Sequence, residues 1–219
     1  MSTAARESIL RKLRAANVEP LPAPDPARFY ANRLPEDLPT RVERLALNLK
    51  NAMAEVHRTT TADLADSLAR VITDNQIRCL AVGNEVLTDQ PMTTKLEGLC
   101  ALYPLSDPDW QQDGLFNTVD AGLSLSVAAI AETGSIVLES SAASPRQLSL
   151  VPPVHIVIVD AHRVVNTLFD LTQQPSWSGA LPTNVILVSS PSKTADIQQT
   201  LAYGAHGPKR LIVILVEGV

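Results

Sequence analysis

The apolar positions of this chain follow two rules in different places. In some stretches they recur every three or four residues, the spacing of one helix face; in others they run unbroken, as in strands buried on both sides. The first rule holds over residues 4–17, where Ile9, Leu10 and Leu13 share a side. It holds over 40–58, where Val42, Leu45, Leu49, Ala52, Met53 and Val56 predict one long amphipathic helix. It returns over 62–74 through Leu64, Leu68 and Val71, behind a cap from Thr60 or Thr61. The second rule picks out strands at 77–82, 101–105, 135–138, 155–159, 184–188 and 211–216. Residues 121–131, apolar and small, read as a strand turning into a short helix, and 164–172 as a helix. A last helix is expected to open after Ser192 or Thr194, with Asp196 in its first turn. Strands alternating with helices predict right-handed crossovers and an α/β fold, a mostly parallel sheet with helices on both faces.

Between the first two helical stretches the pattern stops. Pro20, Pro22, Pro24 and Pro26, then Pro35 and Pro39, fix φ and remove backbone donors, so neither helix nor ladder is expected there. The chain therefore reads as two parts, an N-terminal helix and proline-rich arm over 1–39 and an α/β domain over 40–219. Such an arm can clasp its own domain, a second copy in a homo-oligomer or another partner, or remain a loose tether.

At 219 residues and 45% apolar content the chain can bury one sizeable core besides this appendage. Its 18 basic and 23 acidic residues leave a net charge of −5, and the basic ones are dispersed. A nucleic-acid surface, which needs clustered cations, is disfavoured. No apolar run reaches the roughly 20 residues that span a bilayer, and the first residues lack the uninterrupted core of a signal peptide, so the expected location is the cytoplasm. Cys79 and Cys100 are the only cysteines. They cannot alone ligate an iron–sulfur cluster, which takes about four thiolates. The histidines are scattered without zinc-site spacing, and no dinucleotide or P-loop pattern occurs. No metal or cofactor is expected in this chain.

Candidate chemistry gathers around the two strands at 135–138 and 155–159. Glu132-Thr133-Gly134-Ser135 enters the first, offering a glycine where backbone can approach a ligand and hydroxyls and amides that can hold an anion. Glu132 has no periodic reason to be there; it reads as a base, a nucleophile, or a carboxylate that holds the turn. Arg146 suits bidentate pairing with a substrate carboxylate or with Glu132. His155 opens a buried strand, as a structural or a catalytic imidazole. Ser192, Thr194 and Asp196 form either an ordinary helix cap or a receiver for carboxylate or phosphate. His206, between Gly204 and Gly207-Pro208, lies in a turn able to reach the same rim. In open parallel sheets ligands sit beyond the carboxyl ends of the strands, the place expected here for a small carboxylate or phosphate-bearing ligand.

These residues also carry a resemblance. Ile-Ala-Glu-Thr-Gly-Ser-Ile-Val-Leu, an Arg soon after, and Leu-Val-Pro-Pro-Val-His-Ile are similar to the LUD domain of lactate utilisation proteins. Pro-Ser-Lys-Thr-Ala-Asp-Ile-Gln-Gln, Gly-Ala-His-Gly-Pro and the terminal strand resemble its lactate utilisation protein C branch. The similarity spans roughly residues 80–216. It implies a NagB/RpiA/CoA-transferase-like fold and an accessory role in oxidising L-lactate, with iron–sulfur clusters held by partner subunits. Coenzyme A transferases of the related fold use a glutamate beside a glycine to form an acyl-enzyme, which implies acyl transfer through Glu132 as an alternative. A non-catalytic ligand-sensing module is another. Where LUD domains often show a Thr-Gly pair and an acid ahead of the Glu-Thr-Gly block, this chain has Ser124, Leu125 and Val127.

Overall fold

The computed structural model describes residues 3–16, 21–31, 36–105, 112–177, 179, 182–195 and 201–218. They divide into two units, Met1–Arg33 and Leu34–Val219, a break that falls ahead of the expected residue 39. The first holds helices α1 (Thr3–Ala15) and α2 (Pro26–Tyr30). The second opens with α3 (Leu38–Asn51). The proline-rich stretch is thus not wholly extended. Pro26 and Pro39 stand in the first turns of α2 and α3, where a missing N–H costs nothing, behind caps in which Asp25 accepts from the Arg28 amide and Asp37 from that of Thr40. Those bonds from Thr40 also hold the Asp37 carboxyl below its usual range.

The long helix expected over 40–58 ends at Asn51. Met53 takes a left-handed φ of 72°, the Ala54 amide closes onto the Leu49 carbonyl at 2.9 Å, and the chain reverses into strand β1 (Glu55–Thr59). Val56 keeps helical spacing by coincidence; the ladder that β1 forms with the last strand of the chain decides its state. Next come α4 (Leu64–Asp74), β2 (Cys79–Val82), α5 (Asn84–Leu87), α6 (Gln90–Glu97), β3 (Ala101–Pro104) and α7 (Gln112–Asn117). The expected strand-then-helix at 121–131 is instead two strands, β4 (Ala121–Leu125) and β5 (Ala128–Ile130). The chain changes sheets between them: the Ser126 amide donates to the Ile158 carbonyl and the Val127 amide to that of Val137. After β6 (Ser135–Glu139), α8 (Gln147–Leu150) and β7 (Val154–Asp160), the expected helix at 164–172 is divided. Its start is β8 (Val164–Val165), and its end is α9 (Leu168–Thr172), opened by a reciprocal capping box between Thr167 and Asp170. Then follow β9 (Val185–Val188), β10 (Lys193–Ala195), β11 (Leu201–Tyr203) and β12 (Arg210–Val216).

Strands β1, β12, β7, β4, β2 and β3, in that spatial order, make a sheet in which every neighbouring pair is parallel. Its inner strands β12, β7, β4 and β2 are buried on both faces, which explains their apolar runs. Along β7, Val157 and Val159 face α3, while Ile156 and Ile158 join the core that α4 and α6 cover. A second, mixed sheet in the order β8, β5, β6, β9 packs beside α3, its Ile136 and Leu138 sharing one core with Val157 and Val159. Nothing in the sequence pattern distinguished its strands from those of the parallel sheet.

The helix expected after Ser192 is not formed at its start. Lys193–Ala195 pairs antiparallel with Leu201–Tyr203, and Asp196 lies outside the described residues. The backbone of Ser192 is engaged on both sides, its amide donating to Pro208 at 2.8 Å and its carbonyl accepting from Gly204 at 2.9 Å. Those partners, remote in sequence, override the local capping signal of Ser192 and Thr194.

Candidate functional site

Two cavities open at opposite ends of β7, each walled by both sheets. The one at the amino end, about 440 Å³, is where the signature segments meet. Its sheet wall is His155 and Leu211, neighbours in the β7–β12 ladder. Facing them are Ile186, Leu187 and Val188 of β9 and the loop Ser189, Ser190, Pro191, Ser192, Lys193. Ser149 and Leu150 of α8 and the turn His206-Gly207-Pro208 complete it. The rim is fixed by backbone bonds: besides those of Ser192, the Lys209 amide donates to the Pro153 carbonyl at 2.8 Å. Gly204, at a φ of 76°, makes the turn that presents His206.

His155 is 1% exposed. Its Nε2 lies 3.1 Å from Ser124 Oγ on β4, and its Nδ1 has no hydrogen-bond partner among the described residues. Burial pushes its pKa down to about 3, so the ring is neutral at ordinary pH. Lys193 and His206 are exposed at the mouth, while Ser189, Ser190 and Ser192 are half-buried between mouth and floor. The cavity therefore grades from an ammonium at its entrance, through hydroxyls, to a neutral imidazole, and no carboxylate stands among its described lining residues. Such a surface suits a small anion.

Glu132, Thr133 and Gly134 form the hairpin turn between β5 and β6. The turn packs on α3: Asn48 Nδ2 donates to the carbonyls of Ala131 at 2.9 Å and Glu132 at 3.2 Å, and the Glu132 amide donates to the Asn166 carbonyl. Gly134 has a φ of 63°, and a Cβ there would stand 2.6 Å from Asn48 Cβ. Close approach of the helix, not of a ligand, accounts for this glycine. The hydroxyls of the segment are linked to the cavity only through Ser189. Thr133 Oγ1 lies 2.7 Å from Ser135 Oγ, which lies 2.7 Å from Ser189 Oγ on the wall. Glu132 lines neither cavity.

Arg146, expected beside Glu132, is exposed at the start of α8, and its side chain makes no hydrogen bond or ion pair among the described residues. It too lines neither cavity, and neither does Thr194. Of the sequence candidates, then, the structure brings together His155, Ser192 and His206, joins Ser135 and Thr133 to them through Ser189, and leaves Glu132, Gly134, Arg146 and Thr194 apart. Lys193 was missed, although it adjoins Ser192; a loop reads as a helix cap when its long-range partners are unknown.

The carboxyl-end cavity, about 540 Å³, lies where parallel sheets usually bind ligands. Its walls carry Glu85, Glu139 and Asp160 against one guanidinium, Arg163, with Ser126, Ser140, Ser141 and Ser144 between. Asp160 is partly spoken for, accepting from the His162 amide at 2.9 Å. Among the described residues no three His, Cys, Asp or Glu side chains are grouped to hold a metal ion, and no helix is long and apolar enough to cross a membrane.

Comparison with known proteins agrees with this architecture. The LUD domain family model matches residues 42–216, from α3 to the end of β12. An uncharacterized protein of Neisseria meningitidis serogroup B is 33% identical over 97% of this chain and 93% of its own length. Lactate utilization protein C 1 of Bacillus mycoides is 31% identical over 74% of this chain and 73% of its own. The crystal structure of a DUF162 family protein from Deinococcus radiodurans superposes with a TM-score of 0.64 at 24% identity, covering 84% of this chain and all of that one, and so shares the fold. On the family match and the near full-length relative together, this chain belongs to the LUD domain family.

Proposed function

We propose that this chain serves lactate utilisation as a subunit that binds a small carboxylate at the amino end of β7 and depends on iron–sulfur partner subunits for electron transfer. The observation that carries the reading is the grouping of Lys193, Ser189, Ser190, Ser192 and His206 on one cavity with no opposing carboxylate. An ammonium and several hydroxyls are what a carboxylate of lactate size needs for charge-assisted hydrogen bonding. The relatives named lactate utilization protein C supply the metabolic setting. Dependence on partners is supported by the thiol count: Cys79 and Cys100 are the only cysteines, both buried, where a cluster takes about four thiolates.

The test uses the full chain carrying an affinity tag in its native cells. Iron and lactate-dependent reduction of a dye are expected in the material that co-purifies, and neither in the chain stripped of partners. Lactate oxidation by the isolated chain, or recovery of the chain with no iron-bearing partner, overturns the reading.

A further inference from the structure

The amino-end cavity has more room, and more apolar wall, than an acid of lactate size uses. Such an acid holds roughly six non-hydrogen atoms and, at about 30 Å³ apiece, the share of a water molecule in the liquid, fills about 180 Å³. The cavity measures about 440 Å³, so more than half of it is left over. Its lining divides by chemistry. On one side are Lys193 and His206, exposed, with the half-buried hydroxyls of Ser189, Ser190 and Ser192. On the other are Ile186, Val188 and Leu211, which belong to one hydrophobic cluster, and Leu150. Ile186 and Val188 are half-buried and Leu150 is 39% exposed, so this side keeps apolar surface that no protein atom covers. His155 adds no polar atom to it, since Nε2 is bonded to Ser124 and Nδ1 is enclosed in protein. The strand that supplies Ile186 and Val188 points the same way. β9 is the last strand of its sheet and carries neither a charge nor a proline, the residues that blunt an edge left uncovered.

Building on the carboxylate reading above, we infer that the cavity takes an acid with an apolar chain of about six to eight carbons, which fills the space that lactate leaves. The carboxylate is held by Lys193 and the serines, and the chain lies along Ile186, Val188, Leu150 and Leu211. Charge decides the head: an ammonium and hydroxyls stand on this cavity with no carboxylate among its described lining residues. Apolar area decides the tail, because every methylene moved from water onto that wall adds affinity. A chain bearing a hydroxyl or an amine finds no partner there and loses its hydration on entry, so the cavity discriminates against polar chains.

Calorimetric titration of the full chain with propionate, hexanoate, octanoate and pyruvate tests this. Affinity is expected to rise roughly threefold to fourfold with each added methylene, which places hexanoate roughly thirtyfold or more above propionate and leaves pyruvate near propionate. Saturating hexanoate should exclude pyruvate, since both heads need Lys193. Val188→Phe, which fills the apolar side, should bring hexanoate down toward propionate; should that variant fail to fold, the series and the competition on the unaltered chain still decide. Affinities that stay flat from propionate to octanoate, or hexanoate and pyruvate bound together, overturn the inference and leave the carboxylate cavity standing. Flat affinities with self-association of the chain on concentration overturn it too, and give the apolar edge to a second copy. Absence of binding by every acid overturns both readings.

Discussion

The two ends of β7 carry cavities of similar size and opposite character. At the carboxyl end three carboxylates face one guanidinium; at the amino end an ammonium, hydroxyls and a neutral imidazole face no carboxylate. The topological rule for open α/β sheets favours the carboxyl end, and the larger volume lies there too. Yet a small anion entering that cavity meets like charge, worth a penalty that no shape can offset cheaply. The lesson is that a fold decides where clefts occur, whereas a few loop residues decide which cleft can hold a given ligand.

The contrast can be attacked at several strengths. The largest effect concerns the buried imidazole. Unfolded, the ring takes up a proton below about 6.5; folded, it resists until about 3. Between those values the unfolded state binds more protons, so stability should fall on acidification through that window, by up to about 1.4 kcal/mol per pH unit. Denaturant melts from pH 7 to pH 4 should show this slope, and His155→Gln should flatten it. A wild-type slope matching that of the variant would mean that the amino end is wetter than described.

Next in size is Gly122, paired with His155 in the ladder. A Cβ there would lie 2.1 Å from the Leu148 carbonyl oxygen, so Gly122→Ala must push α8 away from β4. A loss of about 2–3 kcal/mol is expected, with carboxylate binding lost alongside it. Thermal melts and titration with pyruvate check both. Charge reversal is gentler and more selective. Lys193→Glu should weaken pyruvate roughly tenfold or more, while Glu139→Lys at the far cavity should leave it unchanged; calorimetry on the pair measures the contrast directly. Smallest of all, Arg146→Ala should alter stability by less than about 0.5 kcal/mol and binding not at all, because the side chain is exposed and unpaired among the described residues. A large effect there would show that an uncharted surface matters.

Much of this was legible beforehand, and the exceptions share a cause. β6, β7 and β12 announce themselves because strands buried on both faces must be apolar throughout. β1 does not: it is an edge strand with mostly exposed residues, and Val56 prolonged the helical spacing before it. β10 was masked by Ser192 and Thr194, good capping residues of which the first has its backbone bonded to Pro208 and Gly204 and the second lies opposite Ala202 in a ladder. The site repeats the pattern. His155, Ser192 and His206 stood out by their neighbours in sequence and do share a cavity. Lys193 is ordinary in sequence and becomes notable only because the loop turns it toward that opening. Glu132 drew attention as a carboxylate out of place, and its segment turns out to be a hairpin seated on Asn48. Charge and periodicity speak for local geometry, and both misread whatever distant backbone partners decide.

The row of hydroxyls from Thr133 through Ser135 to Ser189 has one further implication. Each hydroxyl owns a single hydrogen, so the row can be polarised in only one sense at a time. An acceptor arriving beside Ser189 draws that hydrogen inward, whereupon Ser135 donates to Ser189 and Thr133 to Ser135. Occupancy of the interior thereby sets, without movement of a single heavy atom, the orientation of the O–H bond of exposed Thr133.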